Sequence, residues 1–330
     1  MKLKVSIAAY SVGLGLTLGA GSALAQSASA SSGQDYPAKP VRIVVPTSPG
    51  GGNDFVARAA GQRLGDKLGQ QFIVDNRPGA GGSIGTTIVA KAAPDGYTLL
   101  LGFVGQLAMY PHVEKTEYDP QRDFIGLSLL ASSYHVMAVH PSLPVRSVKE
   151  LIAFAKAHPG ELYYSSGNIW TPTHLVPELF NAATGTRLIP IHYKGSGPSV
   201  IGVLTGETQV IMSSVTAVMP HVRSKRLVAL AVTSPKRTPV APQVPTLVEL
   251  GVRGVEAPSW YAIVAPAGTP RPIVDKLHGE LAAMSTQPDF QALFRKQALE
   301  PTSKTPEEFA VFLQAENDKW SKIVKAIRAQ

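Results

Sequence analysis

The sequence predicts an α/β protein of two domains, and three observations carry that prediction. From Tyr36 onward, short apolar runs alternate with segments of helical apolar spacing, the pattern of strands joined into parallel sheets by flanking helices. Gly-, Ser- and Pro-rich turns stand at several of the strand-to-helix junctions. The chain has 330 residues, enough for two sizeable cores at about 150 residues per domain.

The elements follow in order. Val41-Arg42-Ile43-Val44-Val45 reads as a buried strand. Asn53 and Asp54 open a helix whose inner face carries Phe55, Val56, Ala59, Leu64 and Leu68, and Gly69 stops it. Phe72-Ile73-Val74 is the next strand. Ser83 is placed to cap a helix running through Ala93, which Pro94-Asp95-Gly96 breaks before a third strand at Thr98 to Leu101. After this βαβαβ unit come a strand at Val136 to Val139 and a helix opened by the capping box Ser147-x-x-Glu150 and stopped at His158-Pro159-Gly160. Leu162 to Ser165, Leu188 to Ile191, Gln209 to Met212 and Val228 to Val232 are further strands. Pro239 to Pro245 and Pro266 to Pro272 are Pro-rich connections. Two helices close the chain, one near Ile273 to Met284 and one opened by Thr305-Pro306-x-Glu308. On the latter, Phe309, Phe312, Leu313, Trp320, Ile323, Val324 and Ile327 fall on one face, a stripe for core packing.

The start of the chain reads as an address. Lys2 and Lys4 precede an uncharged run, Val5 to Ala25, that ends in Ala23-Leu24-Ala25, the order of a secretory signal. Four glycines (13, 15, 19 and 21) weaken it as a spanning helix. Residues 1–25 are expected to be removed on export, and the Ser/Ala-rich residues 26–35 to form a disordered tail. The expected destination is a Gram-negative periplasm, and without a Cys after the cleavage site the mature N-terminus is not lipidated. The chain has no Cys at all, which excludes disulfide scaffolds, thiolate metal sites and Cys nucleophiles. Of 31 Lys and Arg against 23 Asp and Glu, two lie in the signal segment, so the exported chain carries 29 − 23 = +6. That thin, scattered excess suits attraction of an anionic solute better than a nucleic-acid surface.

Three segments carry candidate chemistry. Thr47-Ser48-Pro49-Gly50-Gly51-Gly52-Asn53-Asp54 lies between a strand and a helix, where ligands of open α/β sheets sit. A Gly-rich turn there lets N–H groups and the helix dipole approach an anion. It has neither the Lys-Ser/Thr of a Walker loop nor a dinucleotide fingerprint, so a small carboxylate fits better than a nucleotide phosphate. The alternative is a tight turn in which Asp54 serves only the helix cap. The second segment contains a literal G-x-S-x-G, Gly81-Gly82-Ser83-Ile84-Gly85. A hydrolase elbow needs its Ser at the junction of strand and helix; Ser83 stands well beyond the preceding strand, so a helix cap is preferred to a nucleophile. The third is Ser165-Ser166-Gly167-Asn168-Ile169-Trp170-Thr171-Pro172-Thr173-His174, again between a strand and a helix, the helix burying Leu175, Val176, Leu179 and Phe180. Its hydroxyls, amide and backbone donors form a neutral cradle able to hold a carboxylate without a buried cation. Trp170 either covers apolar ligand surface or packs between lobes. Lesser signals are Tyr193-Lys194-Gly195-Ser196-Gly197-Pro198 and the strand-end pair Ser213-Ser214. The eight His, at 112, 135, 140, 158, 174, 192, 221 and 278, have no metal-ligand spacing, and neither a metal site nor a cofactor is predicted.

Taken together the chain resembles the Bug family (TctC-like) of extracytoplasmic solute receptors, the substrate-binding subunits of tripartite tricarboxylate transporters. The stretches that carry the resemblance run in family order through the exported chain: Tyr36 to Arg42, Pro49-Gly50-Gly51-x-x-Asp54, Asn76 to Gly82, Pro94 to Leu100, His192 to Gly195, Leu230 to Ser234 with Arg237, Val244-Pro245-Thr246, and Ala265-Pro266-x-Gly268-Thr269-Pro270. The resemblance implies a two-lobed Venus-flytrap fold. Residues 36–135 and 258–330 would form the first lobe and residues 136–257 the second. It implies that Ser48 to Asp54 and the loop at Gly102-Phe103-Val104-Gly105 hold one carboxylate, while Ser165 to His174 closes over the ligand and sets specificity. Family members usually carry Gly where Ile169-Trp170 stands, so this loop is longer and bulkier, and the acid or amide often found near Ser213-Ser214 is replaced by hydroxyls.

The reading is a non-enzymatic, monomeric periplasmic binding protein. It captures a small organic carboxylate by lobe closure and delivers it to the membrane components of a transporter, with no nucleic-acid partner. The expected ligand contacts are Ser48, Pro49, Gly50, Gly51, Gly52, Asp54, Phe103, Val104, Ser165, Ser166, Gly167, Asn168, Trp170, Thr171, His174, Ser213 and Ser214. Trp170 points to a ligand with a flat apolar or aromatic body. The rival readings are a carboxylate-sensing receptor of a signalling system and a secreted serine hydrolase using Ser83.

Overall fold

The computed structural model describes residues 36–167, 169–193 and 196–328. The signal segment, the tail, Asn168, Lys194 and Gly195 lie outside the described residues. The chain opens with β1 (Val41–Val45), α1 (Gly52–Leu68), β2 (Phe72–Asn76), α2 (Ser83–Ala90), β3 (Thr98–Phe103) and β4 (Phe124–Ser133). It continues with β5 (His135–Val139), α3 (Val148–Ala157), β6 (Tyr163–Ser166), α4 (Pro172–Thr184), β7 (Ile189–His192), α5 (Ser196–Leu204), β8 (Val210–Ser214), α6 (Val215–Arg223) and β9 (Val228–Val232). It ends with β10 (Ser259–Pro266), α7 (Arg271–Ser285), α8 (Pro288–Lys296), β11 (Glu300–Pro301) and α9 (Pro306–Arg328).

Two sheets result, a six-stranded one of order β11-β4-β10-β3-β1-β2 and a five-stranded one of order β7-β6-β8-β5-β9. The expected α/β class holds, in a two-lobed arrangement, but the sheets are mixed rather than parallel. β1 pairs in parallel with β2 and β3, while β10 runs antiparallel to β3 and β4. In the other sheet β6 is parallel to β7 and β8, while β5 is antiparallel to β8 and β9. The reason lies in the path of the chain. β4 leaves the first sheet at Ser133, and after Tyr134 alone the chain enters the second sheet as β5. β10 brings it back. A strand that arrives from the facing edge must run against its neighbours, and each sheet holds one such strand between others. The edge at which β1 to β4 end therefore faces the edge at which β6 to β9 end. The return is registered on the exit, since Ser259 pairs with Ser133.

The local signals explain most boundaries. Gly69 ends α1 in the left-handed conformation, and its N–H bonds the Gly65 carbonyl. Ser147 accepts the Glu150 N–H at the start of α3. Thr305 and Glu308 form a reciprocal capping box: Thr305 N–H donates to Glu308 Oε2 at 2.9 Å and Glu308 N–H to Thr305 Oγ1 at 3.2 Å. Ser83, however, does not cap α2. Gly82, with φ +94°, takes the N-cap position and Ser83 is the first helical residue. Phe309, Leu313, Trp320 and Val324 of α9 are buried, with Phe312, Ile323 and Ile327 packed at the margin. They join one core cluster with residues of both sheets, including Val44, Leu100, Met137 and Met212. No helix among the described residues is long and apolar enough to cross a membrane.

Candidate functional site

At the edge of the six-stranded sheet, the exposed Ser48-Pro49-Gly50-Gly51 turn follows β1 and leads into α1. Gly51 is the N-cap and no side chain caps the helix, so the N–H groups of its first turn have no intrahelical acceptor. The first backbone bond of the helix is Phe55 N–H to Gly51 O at 3.0 Å. Asp54 is buried, and its Oδ2 accepts the Gly50 N–H at 3.1 Å and Arg58 Nε at 2.9 Å. Burial pushes the Asp54 carboxyl upward, but hydrogen bonds from Arg58, Gly50 and Asn76 and the charge of Arg58 outweigh it and hold the carboxyl below its ordinary range. Asp54 thus stays ionised and ties the turn to the helix, and the Gly50 N–H is already taken. Asn76, at the end of β2, steadies the same turn by donating to the Thr47 carbonyl at 3.1 Å.

Phe103 ends the neighbouring strand β3 and Val104 follows it. Val104 is fully buried, so its side chain is core, while Phe103 is half-buried. The sequence reading missed Tyr261 on β10. A Cβ built on Gly52 would lie 3.1 Å from the Tyr261 hydroxyl, which places that phenol against the start of α1. Burial raises its pKa, opposed by a hydrogen bond with Ser133. The available signal was the apolar run Trp260-Tyr261-Ala262-Ile263-Val264-Ala265 between the two Pro-rich connections.

At the edge of the five-stranded sheet, Ser165 and Ser166 end β6, and Ser213 and Ser214 end the adjacent β8. Ser165 Oγ and Ser213 Oγ are buried without a hydrogen-bond partner among the described residues, as are Ser234 Oγ and His135 Nδ1, two further polar groups that sequence reasoning did not select. Ser214 is the N-cap of α6, and its Oγ accepts from Thr216 Oγ1 at 3.3 Å. Gly167, Trp170, Thr171, Thr173 and His174 are tied together by hydrogen bonds. Thr173 Oγ1 accepts the Gly167 N–H at 2.9 Å and meets Thr171 Oγ1 at 2.9 Å, and the Trp170 N–H donates to His174 Nδ1 at 3.2 Å. The His174 ring stands against that of His192, 4.9 Å between centroids. Burial, then the neighbouring His192, pushes the His174 pKa down to about 4. A neutral imidazole whose Nδ1 accepts a hydrogen bond carries its proton on Nε2 and keeps that N–H as a donor.

Trp170 adopts φ +58°, a conformation rare for a bulky side chain. Its indole is edge-on to His174 at 5.7 Å between centroids and has the Arg328 guanidinium carbon 5.5 Å from its own centroid. The structure therefore brings the first-lobe turn to one edge and the Ser165–His174 segment to the other. Asn168 falls outside the described residues. Ser83 is no nucleophile elbow, since a 3-10 turn over Ala80–Gly82 separates it from β2.

This fold and these two facing edges are those of a two-lobed solute-binding receptor. Residues 56–329 match the model of the tripartite tricarboxylate transporter family receptor. The chain belongs to that family. It is 36% identical over 305 residues to Protein BugT of Bordetella pertussis, covering 91% of this chain and 92% of that protein. Among solved structures it is similar to R. palustris Rpa4515 with adipate (TM-score 0.82, 36% identity, 88% of this chain and 98% of that one). It is also similar to the periplasmic binding protein BugD (TM-score 0.78, 32% identity, 88% and 98%). A further neighbour is MatC from Rhodopseudomonas palustris with bound malate (TM-score 0.78, 27% identity, 88% and 100%).

Proposed function

We propose that the protein is exported to the periplasm, captures a small organic carboxylate between its lobes and passes it to the membrane components of a tripartite tricarboxylate transporter. The observation that carries this reading is the topology, in which the chain crosses between the sheets through Tyr134 alone and both sheets turn polar strand ends toward that crossing, one beside the uncapped start of α1 and the other between β6 and α4. The lobes divide as residues 36–135 with 258–330, and residues 136–257. Ser48 and the N–H groups of Gly51 and Gly52 orient one carboxylate, with the Tyr261 hydroxyl beside them. Asp54 holds the turn in shape rather than touching the ligand, because its charge repels a carboxylate and is matched to Arg58. Ser165, Ser166, Thr171, the His174 Nε2–H, Ser213 and Ser214 receive the distal end, as hydroxyl and imidazole donors suit an anion without a buried cation. A ligand that touches both edges favours the closed arrangement by its differential affinity.

The related receptors solved with adipate and with malate set the ligand class to test first. The experiment is a thermal-shift panel of adipate, malate, citrate, phthalate and uncharged controls on the exported chain. At a hundredfold excess over Kd a ligand adds about 2.7 kcal/mol of stability, so at least one carboxylate raises the melting midpoint while the controls do not. No shift with any carboxylate overturns the reading.

A further inference from the structure

Arg328 lies in the last turn of α9, the helix whose Glu316 accepts the Trp260 indole N–H of the six-stranded sheet at 2.9 Å. Trp170 belongs to the loop that follows β6 of the five-stranded sheet. The two side chains come from different lobes, yet the Arg328 guanidinium carbon lies 5.5 Å from the Trp170 ring centroid, within cation–π range. Two independent features show that the contact is held rather than incidental. Arg328 is anchored on its own side, its Nη2 donating to the Val113 carbonyl. Trp170 is held on the other side in a left-handed backbone conformation, φ +58°, by its N–H bond to His174 Nδ1 at 3.2 Å and the edge contact of the two rings. A strained bulky residue persists only where its surroundings fix it.

We infer that Arg328 is a positioning residue. It clasps the Trp170 indole from across the lobe boundary, holds the Ile169–His174 segment over the mouth of the cleft and slows ligand release without touching the ligand. The inference rests on the carboxylate-receptor reading for the consequence on release, but the clasp itself does not depend on which ligand is bound. Trp170 here acts as a fastening, and its ring face toward Arg328 is not offered to an aromatic solute.

The chain has three Trp, and Trp260 and Trp320 are each 1% exposed, so neutral acrylamide quenches Trp170 in preference to the others. In the ligand-free exported chain, Arg328→Met is expected to raise the quenching constant by roughly twofold with an unchanged far-UV spectrum, and Arg328→Lys to restore most of the protection, because the positive charge and not the chain length is what the indole face attracts. Equal quenching in wild type and Arg328→Met overturns the clasp, and this arm needs no ligand. A second arm follows dissociation of adipate and malate by stopped flow. Arg328→Met and Trp170→Leu each speed release by roughly 2- to 5-fold, the range of an exposed cation–π contact, and the double variant is no faster than the single ones. Additive effects overturn it. Should neither adipate nor malate bind the wild type, that choice of ligands fails while the quenching result still decides the clasp.

Discussion

The His174 imidazole is buried under the loop it helps to fold, and its environment makes that loop sensitive to acid. In the unfolded chain the ring takes up a proton near its ordinary value of 6.5, whereas in the fold it does so only near about 4. His135, at the crossing between sheets, is pushed down to about 4 by burial alone, and His192 is lowered by the same cause. Between these values the unfolded state binds more protons than the folded one. The stability these residues contribute is complete above about pH 6.5 and is lost as the pH falls toward 4. Asp54, whose carboxyl is held below 3.8, titrates outside that window. The melting midpoint is therefore expected to drop between pH 7 and pH 5, and the variant His135→Gln with His174→Gln should show a shallower drop. An identical pH slope in wild type and variant would refute the assignment. At this scale the sequence marked the junctions, with Ser48 to Asp54 between β1 and α1, Ser165 and Ser166 at the end of β6, and Thr171 to His174 at the start of α4. It did not expose that Asp54 takes the Gly50 N–H, because that depends on how the turn folds back on α1.

Among the elements, α9 is the one that joins buried chemistry to a long-range contact. Glu316 is 7% exposed, and its carboxylate accepts two indole N–H groups, Trp260 at 2.9 Å and Trp320 at 3.2 Å, with Lys319 Nζ on its other oxygen at 2.9 Å. Replacing Glu316 with Leu leaves both buried indoles without an acceptor, and the expected loss is roughly 2–5 kcal/mol in urea unfolding. Glu316→Gln keeps an oxygen acceptor and loses less; equal losses for the two variants would show that the hydrogen bonds are not what the site contributes. The apolar stripe and the capping box of this helix were readable from spacing alone. β4 and β10 were not. The crossing from β4 to β5 is a single residue, Tyr134, and the Ser132-Ser133-Tyr134-His135 run around it holds neither Gly nor Pro to mark a turn between two strands. β10 lies between two Pro-rich connections whose composition masked the strand. Without those two elements, alternation alone predicted parallel sheets. The antiparallel strands arise because the chain changes lobes, a long-range event with no local period.

At the scale of the whole molecule, the pairing of Ser259 with Ser133 has a further consequence. Everything in the five-stranded sheet is encoded in one uninterrupted stretch, His135 to Val232, whereas the six-stranded sheet cannot close until β10 arrives to lie between β4 and β3. A chain emerging from its N-terminus thus completes the inner lobe while the outer one still lacks a central strand. Domains fold as units in the order they become available. Pulsed hydrogen exchange on an arrested series of C-terminal truncations should find Met137 and Ile211 protected in a chain ending before Ser259, while Leu100 and Ile43 gain protection only once residues 259–266 are present. Early protection of Leu100 would reverse that order. The nesting of one sheet within the sequence of the other sets a schedule for their assembly: the inserted sheet is finished first, and its host is sealed around it.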